Sequence, residues 1–127
     1  MAKATRLLIS TAVAGLAATA AAAHPKLIAS VPAANASVTA PVTIELKFNE
    51  AVVDQFSGIE VQVTDMTGMK MKNPIKMAAR PSLSGDNGTR LTANFAKPLP
   101  KGGYKVTWHA VTADTHRVEG SYSFTVK

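Results

Sequence analysis

Near its C-terminal end the chain carries Asp114-Thr115-His116, a carboxylate two residues away from an imidazole. In extended backbone, side chains two positions apart leave on the same side. Asp114 and His116 would then offer one oxygen and one nitrogen to a common point. That is half of a site for an ion that prefers N and O donors, such as Cu(II) or Zn(II). A D-x-H pair is a weak signal alone, so its meaning depends on what else can reach it.

A second group lies at the other end. Lys3 and Arg6 precede an apolar run from Leu7 to Ala20, and Ala21-Ala22-Ala23 supplies small residues for a signal peptidase. Residues 1–23 read as a cleaved secretory signal, too short and too Ala-rich for a spanning helix. The mature domain is then 24–127, although a cut before Ala23 also fits. Cleavage makes His24 the first residue, and its α-amine and imidazole can chelate one metal. Pro25 has no N–H, which removes the first amide nitrogen that Cu(II) otherwise takes at a free terminus. The amine must lose its proton to bind, so affinity should rise with pH through its reference pKa of about 8. The plain alternative is a frayed terminus.

Glu50 is the third candidate. Val42, Ile44, Leu46 and Phe48 alternate with polar residues, and Glu50 continues the parity of that apolar set. A carboxylate turned toward a core needs a partner. A Lys or Arg would serve, and so would a metal or a metal-bound imidazole. The fourth group is sulfur. Apart from Met1, every methionine lies between Met66 and Met77: Met66, Met69, Met71 and Met77. Thioethers suit Cu(I). The first three sit among lysines and Gly68 and read as a loop; Met77 alternates with Ile75 and Ala79 and reads as core packing.

The elements that must position these groups are strands. Tyr104, Val106, Trp108 and Ala110 alternate with polar residues, as do Tyr122, Phe124 and Val126. The same period-two pattern marks Ile59–Val63 and Leu91–Phe95, and Lys26–Ser30 reads as a first strand. Segments 31–41, 80–88 and 98–103 are turn-rich, Asn87-Gly88 is a hairpin signal, and 52–58 reads as a turn or short helical segment. About seven short strands in one domain predict an all-β antiparallel sandwich or Greek-key barrel. The chain has no cysteine, so disulfides and thiolate metal sites are excluded. Loss of Lys3 and Arg6 takes the formal charge from +6 to +4, and the basic residues are scattered. That speaks for solvated surface and against nucleic-acid binding. The third histidine, His109, points away from Val106 and Trp108 and reads as exposed.

HPKL at the mature start, FNEAVVDQFSG, the methionine segment and VTADTHRVEGSYSFTV together resemble the CopC family of periplasmic copper-resistance proteins. The resemblance spans the mature chain. It implies an immunoglobulin-like Greek-key β-sandwich or barrel. It implies Cu(II) held at one end by the amine and imidazole of His24 with Asp114 and His116, and Glu50 as a further ligand or a hydrogen-bond acceptor. It also implies Cu(I) at a methionine loop at the other end, matching Met66, Met69 and Met71, with Met77 possible. The family's better-known Cu(I) loops contain a histidine; none occurs between Met66 and Met77. The function expected is periplasmic copper binding as carrier or buffer, by a monomer without a membrane span, handing copper to an inner-membrane CopD-like transporter. No enzymatic activity is expected. A copper enzyme with an N-terminal His brace is the alternative, but Asp114 would fill a position that oxygen needs, and surface aromatics for a polysaccharide are lacking. A plain interaction domain or a zinc carrier are the remaining readings.

Overall fold

The computed structural model describes residues 25–66, 68–84 and 86–127. The signal segment read in residues 1–23, and His24 itself, lie outside the described residues. Among those described, the elements in order are β1 (Leu27–Val31), β2 (Ser37–Val38), β3 (Thr43–Phe48), β4 (Gly58–Met66), β5 (Met69–Lys76), β6 (Arg80–Ser84), β7 (Arg90–Asn94), β8 (Gly102–Val111) and β9 (Arg117–Val126). Single 3-10 turns occupy Asp54–Phe56 and Asp86–Gly88. One sheet runs β1-β3-β7-β6 and the other β2-β9-β8-β4-β5. Pairing is antiparallel except where β2 lies parallel to β9. This is the all-β sandwich that the alternation predicts.

Alternation becomes burial because each strand has one inward face. Ile44, Leu46 and Phe48 of β3 meet Val61 and Val63 of β4 and Tyr104, Val106, Trp108 and Ala110 of β8, all buried. Two aromatic contacts organise this layer. Phe48 packs edge-on to Trp108 with ring centroids 5.3 Å apart, and Tyr104 stacks on Phe124 at the same distance. Trp108 has room because Gly120 stands opposite it on β9: a Cβ there would lie 2.7 Å from the indole Cζ2. The Asn87-Gly88 corner expected between two strands joins β6 to β7, with φ of 58° and 78° in the left-handed region that favours this pair of residues.

Four sequence expectations need correction. Val42 lies outside β3 and is exposed, because β3 begins only at Thr43. The turn-rich stretches 31–41 and 80–88 contain β2 and β6. The first three methionines are not in a loop: Met66 ends β4, Met69 starts β5, and the two are a cross-strand pair around a tight turn. Past them β5 bulges. Asp65 pairs with Lys70 and Val63 with Ile75, so four residues from Met71 to Pro74 face a single one on β4. Finally, His109 is half-buried rather than exposed; its ring lies over Gly58 on β4, where a Cβ would meet Cε1 at 2.8 Å. Strand β5 is an edge of its sheet and its residues are nearly all exposed.

Candidate metal centre

Three chain segments meet at the end of the sandwich where β3 and β8 finish. The first is the chain leading into β1. Pro25 is buried, the Lys26 N–H donates to Asn49 Oδ1 at 2.7 Å, and the Asn49 N–H donates to the Lys26 carbonyl at 3.0 Å. The second is the loop after β3. Its Val52 N–H reaches the Gly88 carbonyl at 3.0 Å, and its Val53 N–H reaches the Val111 carbonyl at 2.7 Å. The third is the turn between β8 and β9. The Val111 N–H donates to Ser57 Oγ at 3.0 Å, which ties that turn back to the second segment. Backbone groups that would be left unpaired where strands stop are satisfied by this stitching.

The turn itself gathers the donors. Strand β8 stops at Val111, so Asp114 and His116 do not share a side because the strand runs on, as the spacing suggested. They converge because the chain folds back. Thr112 N–H donates to the His116 carbonyl at 3.0 Å and Thr115 N–H to the Thr112 carbonyl at 2.9 Å, while Thr115 adopts a φ of 70°. The result places His116 Nδ1 2.9 Å from Asp114 Oδ2. The other carboxylate oxygen, Oδ1, accepts from the Thr112 hydroxyl and, at 3.4 Å, from the His116 N–H. The Thr112 hydrogen bond, with smaller help from His116, holds the Asp114 carboxyl below its ordinary range against a weaker opposing effect of desolvation. Asp114 is therefore anionic at neutral pH, and both side chains are about half exposed.

These two donors are a half-site. Among the described residues no three His, Cys, Asp or Glu side chains gather closely enough to hold a metal. Glu50 is half-buried one residue beyond Asn49, at the same end, but is not drawn into a three-donor set. His24 is two residues ahead of Lys26, outside the described residues. The donor set present is one imidazole nitrogen and one carboxylate oxygen, open to solvent. That chemistry fits a divalent ion taking mixed N and O ligands.

The methionines divide. Met66 and Met69 face each other across the β4–β5 turn and are both exposed. Directly opposed residues have Cβ atoms about 5 Å apart, so one ion could touch both sulfurs. Met71 is half-buried and packs on the core. Met77 also packs on the core, and its N–H bonds to the Val61 carbonyl at 2.8 Å. Val61 is five residues along β4 from Met66, which is roughly 17 Å of strand. The methionine turn and the Asp114–His116 turn lie at opposite ends of the sandwich.

Asn49 and Thr112 were not read from the sequence as part of this end. Thr112 carried a signal, since a Thr two residues before an Asp is spaced for a local side-chain bond in a turn. Asn49 carried none, because its partner is remote in sequence.

The sequence matches the CopC domain family over residues 27–127. It is 47% identical over 114 residues to copper resistance protein C of Xanthomonas campestris pv. juglandis, covering 90% of this chain and 88% of that protein. It is 42% identical over 105 residues to copper resistance protein C of Escherichia coli, covering 83% and 82%. Among solved structures, the methionine-rich copper resistance protein PcoC from Escherichia coli superposes with a TM-score of 0.74 at 40% identity, over 83% of this chain and 100% of that one. CopC from Methylosinus trichosporium OB3b superposes with a TM-score of 0.64 at 28% identity, over 82% and 94%.

Proposed function

The chain belongs to the CopC family, and from that premise we propose that it is a periplasmic copper-binding protein of copper resistance, taking Cu(II) at the Asp114–His116 end. The observation that supports the ligand assignment is the contact of Asp114 Oδ2 with His116 Nδ1 at 2.9 Å, at the end where Lys26 is clasped by Asn49. Removal of residues 1–23 would free the His24 amine only two residues from that clasp. The amine, two imidazoles and one carboxylate give three nitrogens and one oxygen, the set Cu(II) prefers in tetragonal geometry. Glu50 would add a ligand or accept a hydrogen bond from one. The relatives' printed names, copper resistance protein C and PcoC, agree with copper as the cargo.

The protein acts as a carrier or buffer and not as an enzyme. An anionic carboxylate among the ligands fills a position that an oxygen-activating copper would keep open. Cu(I) binds at the exposed Met66–Met69 pair, with Met71 beside Met69 on the same strand. Met77 belongs to the core. The monomer would deliver copper to an inner-membrane CopD-like transporter.

The test uses the secreted protein with its N-terminus confirmed by mass spectrometry. Electron paramagnetic resonance of the Cu(II) complex should show one tight, tetragonal, nitrogen-rich site. Adding one alanine ahead of His24 should abolish it. Weak binding indifferent to that alanine would refute the assignment.

A further inference from the structure

We propose that Thr112 is a positioning residue for the metal site: its hydroxyl fixes the Asp114 carboxylate so that Oδ2 is the oxygen turned toward the His116 ring. This rests on the Cu(II) reading above. Thr112 is one of two buried polar residues in the described core, 3% exposed, although it lies at the rim beside two half-exposed ligands. A hydroxyl taken out of water must be partnered, and this one donates to Asp114 Oδ1. Its N–H holds the His116 carbonyl at 3.0 Å, and its carbonyl accepts from Thr115 N–H at 2.9 Å. Thr112 therefore bonds to Asp114 and to both residues that follow it, and its burial anchors that turn to the core.

The consequence is chemical. A carboxylate free to rotate can present either oxygen, or both, to a cation. With Oδ1 engaged by Thr112 and by the His116 N–H, one oxygen remains to face the imidazole. In the metal-free protein Oδ2 orients the His116 ring through the Nδ1 contact; a metal on Nε2 lies across the ring from that contact, so Oδ2 must leave Nδ1 to ligate the same ion, and it does so as a single oxygen. A neutral ring that donates from Nδ1 carries its lone pair on Nε2, the atom a metal would take. Side chains that hold ligands in this way typically change metal affinity by about 10- to 100-fold when replaced.

The experiment compares wild type, Thr112→Val and Thr112→Ser. Valine keeps the branched shape and the burial and loses the hydroxyl; serine restores the hydroxyl. The first readout is nitrogen-15 NMR of the His116 ring in metal-free protein. Wild type should show the Nδ1–H tautomer, Thr112→Val should shift toward the ordinary Nε2–H form, and Thr112→Ser should return to wild type. The second readout is Cu(II) affinity by ligand competition with the paramagnetic resonance spectrum. Thr112→Val should bind about 10- to 100-fold more weakly with an altered spectrum, and Thr112→Ser within a few-fold of wild type. An unchanged tautomer in Thr112→Val overturns the proposal. So does an altered tautomer with unchanged copper binding, because the pair would then not be held for the metal. If wild type itself fails to bind Cu(II) tightly, the copper reading falls, while the metal-free tautomer still decides whether Thr112 sets the pair.

Discussion

Replacing Asn49 by alanine should weaken Cu(II) capture without unfolding the sandwich. Two hydrogen bonds join residues 26 and 49, and of these the substitution removes the one from Lys26 N–H to Asn49 Oδ1, at 2.7 Å. The backbone bond from residue 49 to the Lys26 carbonyl survives. An exposed hydrogen bond of this kind contributes about 0.5–1.5 kcal/mol. If all of that serves to hold the chain behind His24 in place, the dissociation constant for Cu(II) rises by roughly 2- to 12-fold, since 1.4 kcal/mol is tenfold. That is an upper bound, because the surviving bond retains part of the constraint. Two measurements on the same variant separate the steps. Hydrogen exchange at the Lys26 amide should accelerate by a similar factor, and competition titration should show the affinity loss. Asn49→Asp keeps the acceptor oxygen and should leave both near wild type. Unchanged exchange in Asn49→Ala would mean that the clasp holds nothing. Faster exchange with unchanged copper affinity would mean that the position of residues 24–26 does not matter to the metal.

Gly120→Ala should destabilise the fold, because its methyl would sit 2.7 Å from Trp108 Cζ2 while that ring is backed by Phe48. Overpacking of this kind costs about 1–3 kcal/mol, or roughly 5–15 °C in Tm; a melt within a degree of wild type would contradict the packing described. Tyr122 predicts an alkaline limit. Burial pushes its phenol up to about 12, with nearby Ser30 offsetting a little, and its hydroxyl lacks a well-formed hydrogen bond. The unfolded phenol ionises near 10, so this contribution to stability is whole below pH 10 and is lost as pH rises toward 12. Denaturant titrations at pH 9 to 12 should show that decline, and Tyr122→Phe should lessen it without abolishing it, because burial also raises Tyr104. Replacing Met66 and Met69 together by serine should remove Cu(I) binding and spare Cu(II), whereas Met77→Leu should change neither; equal Cu(I) affinity in the double variant would leave that pair as ordinary surface.

The strands that build the core were legible because each pairs one apolar face with one polar face. Tyr104 to Ala110 and Tyr122 to Val126 show this most clearly, and they carry the two aromatic contacts. Strands β5 and β6 were not legible. An edge strand with little to bury has no reason to alternate, and Met69-Lys70-Met71-Lys72 reads equally well as loop. Asp114 and His116 were legible as residue types but not as geometry. Period-two logic assumes that β8 continues, and the left-handed φ at Thr115 lies outside that logic. Asn49 and Thr112 hold the site through bonds whose partners the local pattern does not name. His109 looked exposed because alternation gives the side of a sheet and not what lies across it, here the bare backbone of Gly58.

The outer strand β5 also bears on how this protein behaves when many copies share a narrow compartment. A neighbouring chain that tried to extend the sheet there would meet Lys70, Lys72 and Lys76, the missing N–H of Pro74, and a bulge that breaks the ladder into two short pieces. Like charges would face each other, and the register would fail within a few residues. A cysteine-free sandwich cannot rely on cross-links to stay apart from its copies. Here the guard against fibre growth is written into the same segment that carries the methionines, so a substitution made to alter sulfur there also tests how crowded the protein can become before it stacks.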